Sequence, residues 1–203
     1  MGDSPALFYR IAKFICYLFF RYICRWEVRG QENFPREGPA VVVSNHVSFW
    51  DPVAVGVAVP RPVRFMAKEE LFRIPLLGQV IRGLGAFPVR RGRSDRQALK
   101  ESLEILRSGQ VLGMFPEGTR VRTGGLGTFH NGAAVLSLKT GAPLVPVALK
   151  GTQNIFSKGW FRPFQVFIGE PIYPGCKGSY TPFEVEELSR RAREAIAKLL
   201  SEG

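Results

Sequence analysis

Two polar residues five positions apart carry the first suggestion of chemistry. His46 follows the apolar run Ala40-Val41-Val42-Val43-Ser44 and Asn45, and Asp51 stands just ahead of Pro52. A short Val-rich run of this kind reads as a buried strand. His46 then sits at its carboxyl end, where open α/β sheets bind their ligands. Asp51-Pro52 reads as an N-cap followed by proline at the first helical position. A loop this short between strand and helix can fold the carboxylate back against the imidazole. A carboxylate on one ring nitrogen fixes the tautomer and steadies the cation that forms on the other. The pair would be a general base with no protein nucleophile, able to act on a substrate hydroxyl directly. Taken alone, a histidine after a strand is more often structural, and an aspartate before proline more often a simple cap.

Three further strings fall at strand ends. Phe115-Pro116-Glu117-Gly118-Thr119-Arg120 follows the apolar run Val111 to Met114. An arginine beside exposed turn amides suits a phosphate, because its planar fork binds two oxygens together. Gly85-Ala86-Phe87-Pro88-Val89-Arg90-Arg91-Gly92 puts two guanidinium groups at another strand end, and Lys68 lies just past Val63 to Ala67. Individually these are a β-turn, a solvated basic turn and a surface lysine. Together, four βα junctions present one imidazole, carboxylates and several cations, a convergence that unrelated turns do not predict.

The elements that must hold these residues can be read from pattern. Strands are expected at Trp26 to Arg29, Ala40 to Ser44, Val63 to Ala67, Ala86 to Val89, Val111 to Phe115, Leu144 to Leu149 and Gln165 to Ile168. Helices are expected at Pro52 to Val59, Pro75 to Gly83, Asp95 to Ser108, Asn131 to Thr140 and Pro182 to Ser201. Ser94 is placed to cap the third of these and Gly109 to close it. Strands alternating with helices of about ten residues imply an α/β fold: one domain with a mainly parallel sheet of about seven strands, flanked by helices. Residues 26–203 would form that domain, and residues 1–25 a helical segment ahead of it.

The chain has 203 residues, 45% of them hydrophobic, and a net charge of +11. That charge attracts polyanions: nucleic acid, anionic headgroups or phosphorylated substrates. Cys16, Cys24 and Cys176 form no C-x-x-C pair and read as small buried apolar residues. No metal-ligand cluster is visible, and no P-loop, G-x-G-x-x-G or G-x-S-x-G string occurs. The N-terminal stretch Leu7 to Trp26 is dense in Phe, Tyr, Ile and Leu, but Arg10, Lys13, Arg21 and Arg25 interrupt it. A spanning helix needs about 20 mostly apolar residues, and no small-residue cleavage site follows, as a secretory signal would require. A basic, aromatic-rich helix fits an element lying in the membrane interface; the alternative is a helix covering the core.

The block Asn45-His46-Val47-Ser48-Phe49-Trp50-Asp51-Pro52 resembles the H-x-x-x-x-D motif of the glycerolipid acyltransferases. The strings GAFPVRRG, FPEGTR and VPVALKG resemble that family's second, third and fourth motifs, in the same order and spacing. From about residue 25 to 170 the chain is similar to 1-acylglycerol-3-phosphate acyltransferases of the short bacterial type. The resemblance implies that His46 is the catalytic base and Asp51 its partner. It implies that Arg91, Glu117, Gly118, Thr119 and Arg120 are substrate-site positions and that Lys68 binds phosphate. It links Val145 and Pro146 to the acyl donor side. The stretch Gly127 to Ala133 departs from the family at His130 and Asn131, and His130 reads as structural or peripheral.

The function so implied is transfer of a fatty acyl group to the free hydroxyl of lysophosphatidic acid, on the cytoplasmic face of an anionic membrane. Acyl-CoA or acyl carrier protein would be the co-substrate, with no cofactor and no metal. Rival acceptors are another lysolipid or glycerol 3-phosphate. A serine hydrolase would have to use Ser44 or Ser48, which lack a nucleophile elbow. A nucleic-acid-binding module is disfavoured because the aromatics concentrate at the N-terminus, away from the strand-end cations.

Overall fold

The computed structural model describes residues 4–90, 95–121, 126–157, 159–175 and 179–202. The chain begins with helix α1 (Ser4–Leu18), which widens into a π turn over Phe19–Ile23. Strand β1 (Glu27–Arg29), β2 (Ala40–Ser44), helix α2 (Asp51–Ala58), β3 (Val63–Lys68), α3 (Leu77–Gly83) and β4 (Phe87–Val89) follow. Next come α4 (Arg96–Arg107), β5 (Val111–Met114), α5 (Gly132–Thr140) and β6 (Leu144–Lys150). A hairpin of β7 (Phe156–Ser157) and β8 (Trp160–Phe161), then β9 (Gln165–Ile168) and α6 (Pro182–Glu202), complete the chain. All seven expected strands are present, within a residue or two of their expected ends, and form one sheet in the order β1-β9-β6-β2-β5-β3-β4. The run from β6 to β4 is parallel, while β9 pairs antiparallel with β6 and carries β1 with it.

Strand β2 lies in the middle of the sheet with every residue buried. Val42 packs into one core with α1 and α2, and Val41 and Val43 into the other with α4, α5 and α6, as alternation across a two-sided sheet requires. The chain leaves β2 over one face toward β3 and leaves β5 over the other face toward β6. Neighbouring strands whose connections depart in opposite directions open a crevice at their carboxyl ends. That crevice lies beyond Ser44 and Met114, where the sequence places His46 and the Glu117 turn.

Two local expectations are corrected. Helix α4 is capped by Asp95, whose carboxylate accepts from the Gln97 and Ala98 N–H groups; Ser94 lies outside the described residues. Gly109 does close it, at φ +73°. Helix α3 starts at Leu77 rather than Pro75, after Leu76 takes φ +63°.

The N-terminal helix has two distinct faces. Phe20 and Cys24 are fully buried, and the Tyr9 hydroxyl accepts from the Val63 N–H at 3.2 Å while Lys13 donates to the Val59 carbonyl. Burial pushes the Tyr9 phenol up and the Lys13 ammonium down from their ordinary values. The opposite face is apolar as well: Leu7, Ile11, Phe14, Ile15, Leu18 and Tyr22 recur at helical spacing and are all exposed. No helix among the described residues is long and apolar enough to cross a membrane.

Candidate active site

Asn45, the residue after β2, starts the site. Its side chain donates to the Leu149 carbonyl at 3.0 Å and accepts from the Leu149 N–H at 2.8 Å, spanning to β6 in place of a backbone rung. The next residue is thereby fixed relative to two strands. His46 Nδ1 lies 2.8 Å from Asp51 Oδ2, and its ring stacks on Phe115, centroids 4.2 Å apart and planes 22° apart. Phe115 in turn stacks on Phe65 at 5.8 Å. That column requires glycine at 113, because a Cβ there would sit 2.3 Å from the Phe65 ring.

Asp51 is fully buried. Its Oδ2 accepts from His46 Nδ1 and from the N–H groups of Val47 and Ser48, both at 2.7 Å. Its Oδ1 accepts from the Thr152 hydroxyl at 2.6 Å. The expected N-cap role is therefore corrected: Asp51 is the first residue of α2, Trp50 is the capping position, and no side chain caps the helix. The carboxylate turns back along the loop instead. With two backbone N–H groups and a hydroxyl already donating to it, the carboxylate takes the fourth donor from the histidine and so prescribes its tautomer. With the proton on Nδ1, the lone pair is on Nε2, which has no hydrogen-bond partner among the described residues. That atom can accept a proton from a hydroxyl brought to it.

The Phe115–Val121 loop grips the same histidine by its backbone. Glu117 Oε2 accepts from the His46 N–H at 3.1 Å, and the His46 carbonyl accepts from the Val121 N–H at 2.8 Å. Glu117 Oε1 accepts from the Gly127 N–H at 3.0 Å, so both carboxylate oxygens are engaged by backbone. Burial lifts the Glu117 carboxyl above the usual range, against the pull of those amides and of His46. Gly118 has φ +69°, and a Cβ there would lie 3.2 Å from the His130 ring. His130 itself is exposed and its N–H donates to the Pro116 carbonyl at 2.8 Å, which agrees with a structural role.

At or just past the carboxyl ends of β3, β4 and β5 stand cations of two kinds. Arg120 stacks its guanidinium 3.4 Å from the ring centre of Phe49, which belongs to the His46–Asp51 loop and is 73% exposed. Stacking uses the face of the guanidinium and leaves its N–H edge free. Lys68, the last residue of β3, is exposed. Neither cation makes an ion pair among the described residues. Arg90 is different: it pairs with Glu69 at 2.6 Å, and Glu69 also holds Arg73 at 3.0 Å.

The geometry can be set beside known proteins. Residues 25–150 match the acyltransferase family model. A 1-acyl-sn-glycerol-3-phosphate acyltransferase of Bacillus subtilis is 32% identical over 182 residues, covering 85% of this chain and 89% of that one. The chain belongs to the 1-acyl-sn-glycerol-3-phosphate acyltransferase family. A Borreliella burgdorferi relative with the same description is 33% identical, over 85% of this chain and 70% of that one. The crystal structure of the 1-acyl-sn-glycerophosphate acyltransferase from Thermotoga maritima superimposes with a TM-score of 0.75 at 29% identity, over 98% of this chain and 79% of that chain. Two chloroplast relatives are longer: this chain spans 50% of the Brassica napus protein and 38% of the Arabidopsis thaliana protein.

Within the family fold, the positions singled out by sequence divide into groups. His46, Asp51, Glu117 and Gly118 come together beyond β2 and β5, with Arg120 against the same loop and Thr119 exposed beside it. Lys68 ends the neighbouring strand β3. Arg91 lies outside the described residues, as does Cys176. Val145 and Pro146 are buried inside β6, short of its end, where they build the sheet. Ser44 donates to the Asn45 carbonyl, and Ser48 Oγ accepts from the Trp50 N–H, so both hydroxyls serve the loop. The roles of Thr152, Asn45, Phe65 and Gly113 carry no mark in the sequence. Thr152 lies 101 residues from Asp51, directly after the fourth motif, and only that adjacency could have drawn attention to it.

Proposed function

We propose that this chain transfers a fatty acyl group from an acyl thioester to the free hydroxyl of 1-acylglycerol 3-phosphate, giving phosphatidic acid. The observation that carries the reading is the buried Asp51–His46 pair, with Nε2 open at the crevice of the sheet. In the mechanism, the acceptor phosphate docks on Arg120 and Lys68, and its hydroxyl meets His46 Nε2. His46 takes the proton as the oxygen attacks the thioester carbonyl. Asp51 stabilises the imidazolium, which then gives its proton to the departing thiolate. Holding acceptor, donor and base together removes much of the entropy cost before the chemical step. Glu117 and Thr152 act one step removed, the first holding the His46 backbone and the second the Asp51 carboxylate.

The exposed apolar stripe of α1, with Arg10 and Arg21 on the same helix, supports docking on one face of an anionic bilayer without crossing it. A long-chain acceptor leaves the bilayer reluctantly, so the site must come to it. The deciding experiment is an acyl-transfer assay on detergent-solubilised protein. It would offer lysophosphatidic acid, other lysolipids and glycerol 3-phosphate against acyl-CoA and acyl carrier protein. Preferred turnover of lysophosphatidic acid is expected. Equal or better use of an acceptor without phosphate would reject the reading.

A further inference from the structure

The acyl-transfer site leaves unused the small hairpin β7–β8. Phe156 pairs with Phe161 and Ser157 with Trp160, Gly159 turns at φ +75°, and the Arg162 N–H closes the base on the Ile155 carbonyl at 2.8 Å. An isolated two-stranded hairpin is marginal in water, so its attachment matters. Ile155 is buried, and Phe161 meets Phe19 edge-to-face at 5.1 Å. Phe19 stacks on Trp50 at 5.9 Å. Aromatic contact thus runs from the hairpin, through the end of α1, to the loop that carries His46 and Asp51. Yet the two other hairpin aromatics face water: Phe156 is 62% exposed and Trp160 67%.

The surrounding charge says what covers them. From Lys150 to Ile168 the chain carries Lys150, Lys158 and Arg162 and no acidic residue, and from Phe8 to Trp26 Arg10, Arg21 and Arg25, besides the inward-turned Lys13, and again no acid. Arg25 and Lys150, one from each stretch, line a recess of about 250 Å³ at the foot of the hairpin, with Glu27 in the same lining. Exposed Trp and Phe on a basic stretch without acids match the interfacial layer of an anionic bilayer, where amphipathic rings sit among headgroups. We propose that the hairpin is a second membrane contact, with Phe156 and Trp160 entering the interface beside the exposed face of α1. This rests on the docking of α1 proposed above and goes beyond it. A single helix on a surface leaves the protein free to roll about the helix axis. A second anchor removes that freedom and fixes the direction in which the Trp50 loop faces the lipid.

The test is vesicle partition, which is read separately from acyl transfer. The 203-residue protein and its Phe156→Ser/Trp160→Ser variant are sedimented with vesicles of phosphatidylglycerol and phosphatidylcholine. The variant should partition about tenfold more weakly, since two aromatic side chains are no longer buried. Trp160→Phe should restore most of the binding, and brominated lipid should quench the wild type more than Trp160→Phe. Transfer to a short-chain, freely soluble acceptor should be unchanged in the double variant. Wild-type-like partition of the double variant would overturn the hairpin contact while leaving α1 docking intact. A wild type that ignores vesicles would overturn both. Loss of transfer to the soluble acceptor would make the hairpin part of the site, and loss of affinity for acyl carrier protein with vesicle binding unchanged would make it a protein-docking surface; either result overturns the proposal.

Discussion

His46 and Arg120 stand on loops beyond neighbouring strands, yet they are held in opposite ways. His46 is tied at its ring by Asp51 and Phe115, at its N–H by Glu117 and at its carbonyl by Val121. Arg120 touches one exposed phenylalanine and makes no ion pair among the described residues. The first arrangement is finished before any ligand arrives. The second leaves donors uncommitted at the rim. A general base must have its tautomer and direction set in advance, whereas a phosphate-binding cation already neutralised by the protein has less to offer its ligand. Arg90, bound to Glu69, shows the neutralised alternative at the same edge of the sheet.

The contrast can be broken first at Asp51. In Asp51→Asn the amide oxygen can keep the His46, Val47 and Ser48 donors while its NH2 group donates to the Thr152 hydroxyl. Fold and tautomer should survive, but the charge that steadies the imidazolium is gone. Turnover should fall about 10²- to 10⁴-fold, measured as kcat beside an unchanged circular dichroism spectrum. At the rim, Arg120→Ala and Lys68→Ala should each cost about 10- to 100-fold in kcat/KM with lysophosphatidic acid. With a neutral monoacylglycerol the loss should be small; equal losses on both acceptors would remove these residues from phosphate binding. Thr152→Val sharpens the picture further in, since it deletes one donor to Asp51 at nearly constant volume. Activity should drop by about tenfold in kcat, the weight of one hydrogen bond to a charged group, with KM little changed. Thr152→Ser should recover most of it. The smallest effect is expected for Phe65→Leu, which loosens the stack behind Phe115, at about two- to fivefold in kcat. A variant with wild-type kcat would show that the stack does not help to set the ring.

The sheet was legible because each core strand writes its own local pattern: Val41, Val42 and Val43 are buried on both faces, and turn residues bound the run. The pairing of His46 with Asp51 was legible too, because the partners stand only five positions apart, within one sequence window. What escaped depends on distance along the chain or on competition for one group. Thr152 reaches Asp51 only because β6 lies beside β2. Asp51 looked like a cap because Asp-Pro usually starts a helix, and only the surrounding N–H groups of Val47 and Ser48 turn it the other way. Glu117 looked like a substrate contact, yet backbone amides engage both of its oxygens. The hairpin strands are two residues each, too short for a period to be read. The two faces of α1 are both apolar, so composition alone could not separate the buried face from the exposed one.

The central claim is that His46 takes the proton from the acceptor hydroxyl and that no protein nucleophile carries the acyl group. It is tested most directly by mixing purified wild type and folded His46→Ala with lysophosphatidic acid and an acyl thioester, then following phosphatidic acid by mass spectrometry over a single turnover. The wild type should form product with no acyl adduct on the protein, and His46→Ala should be slower by about 10²- to 10⁴-fold or more. Product formed at a near-normal rate by His46→Ala, or an acylated protein appearing ahead of product, would contradict the account.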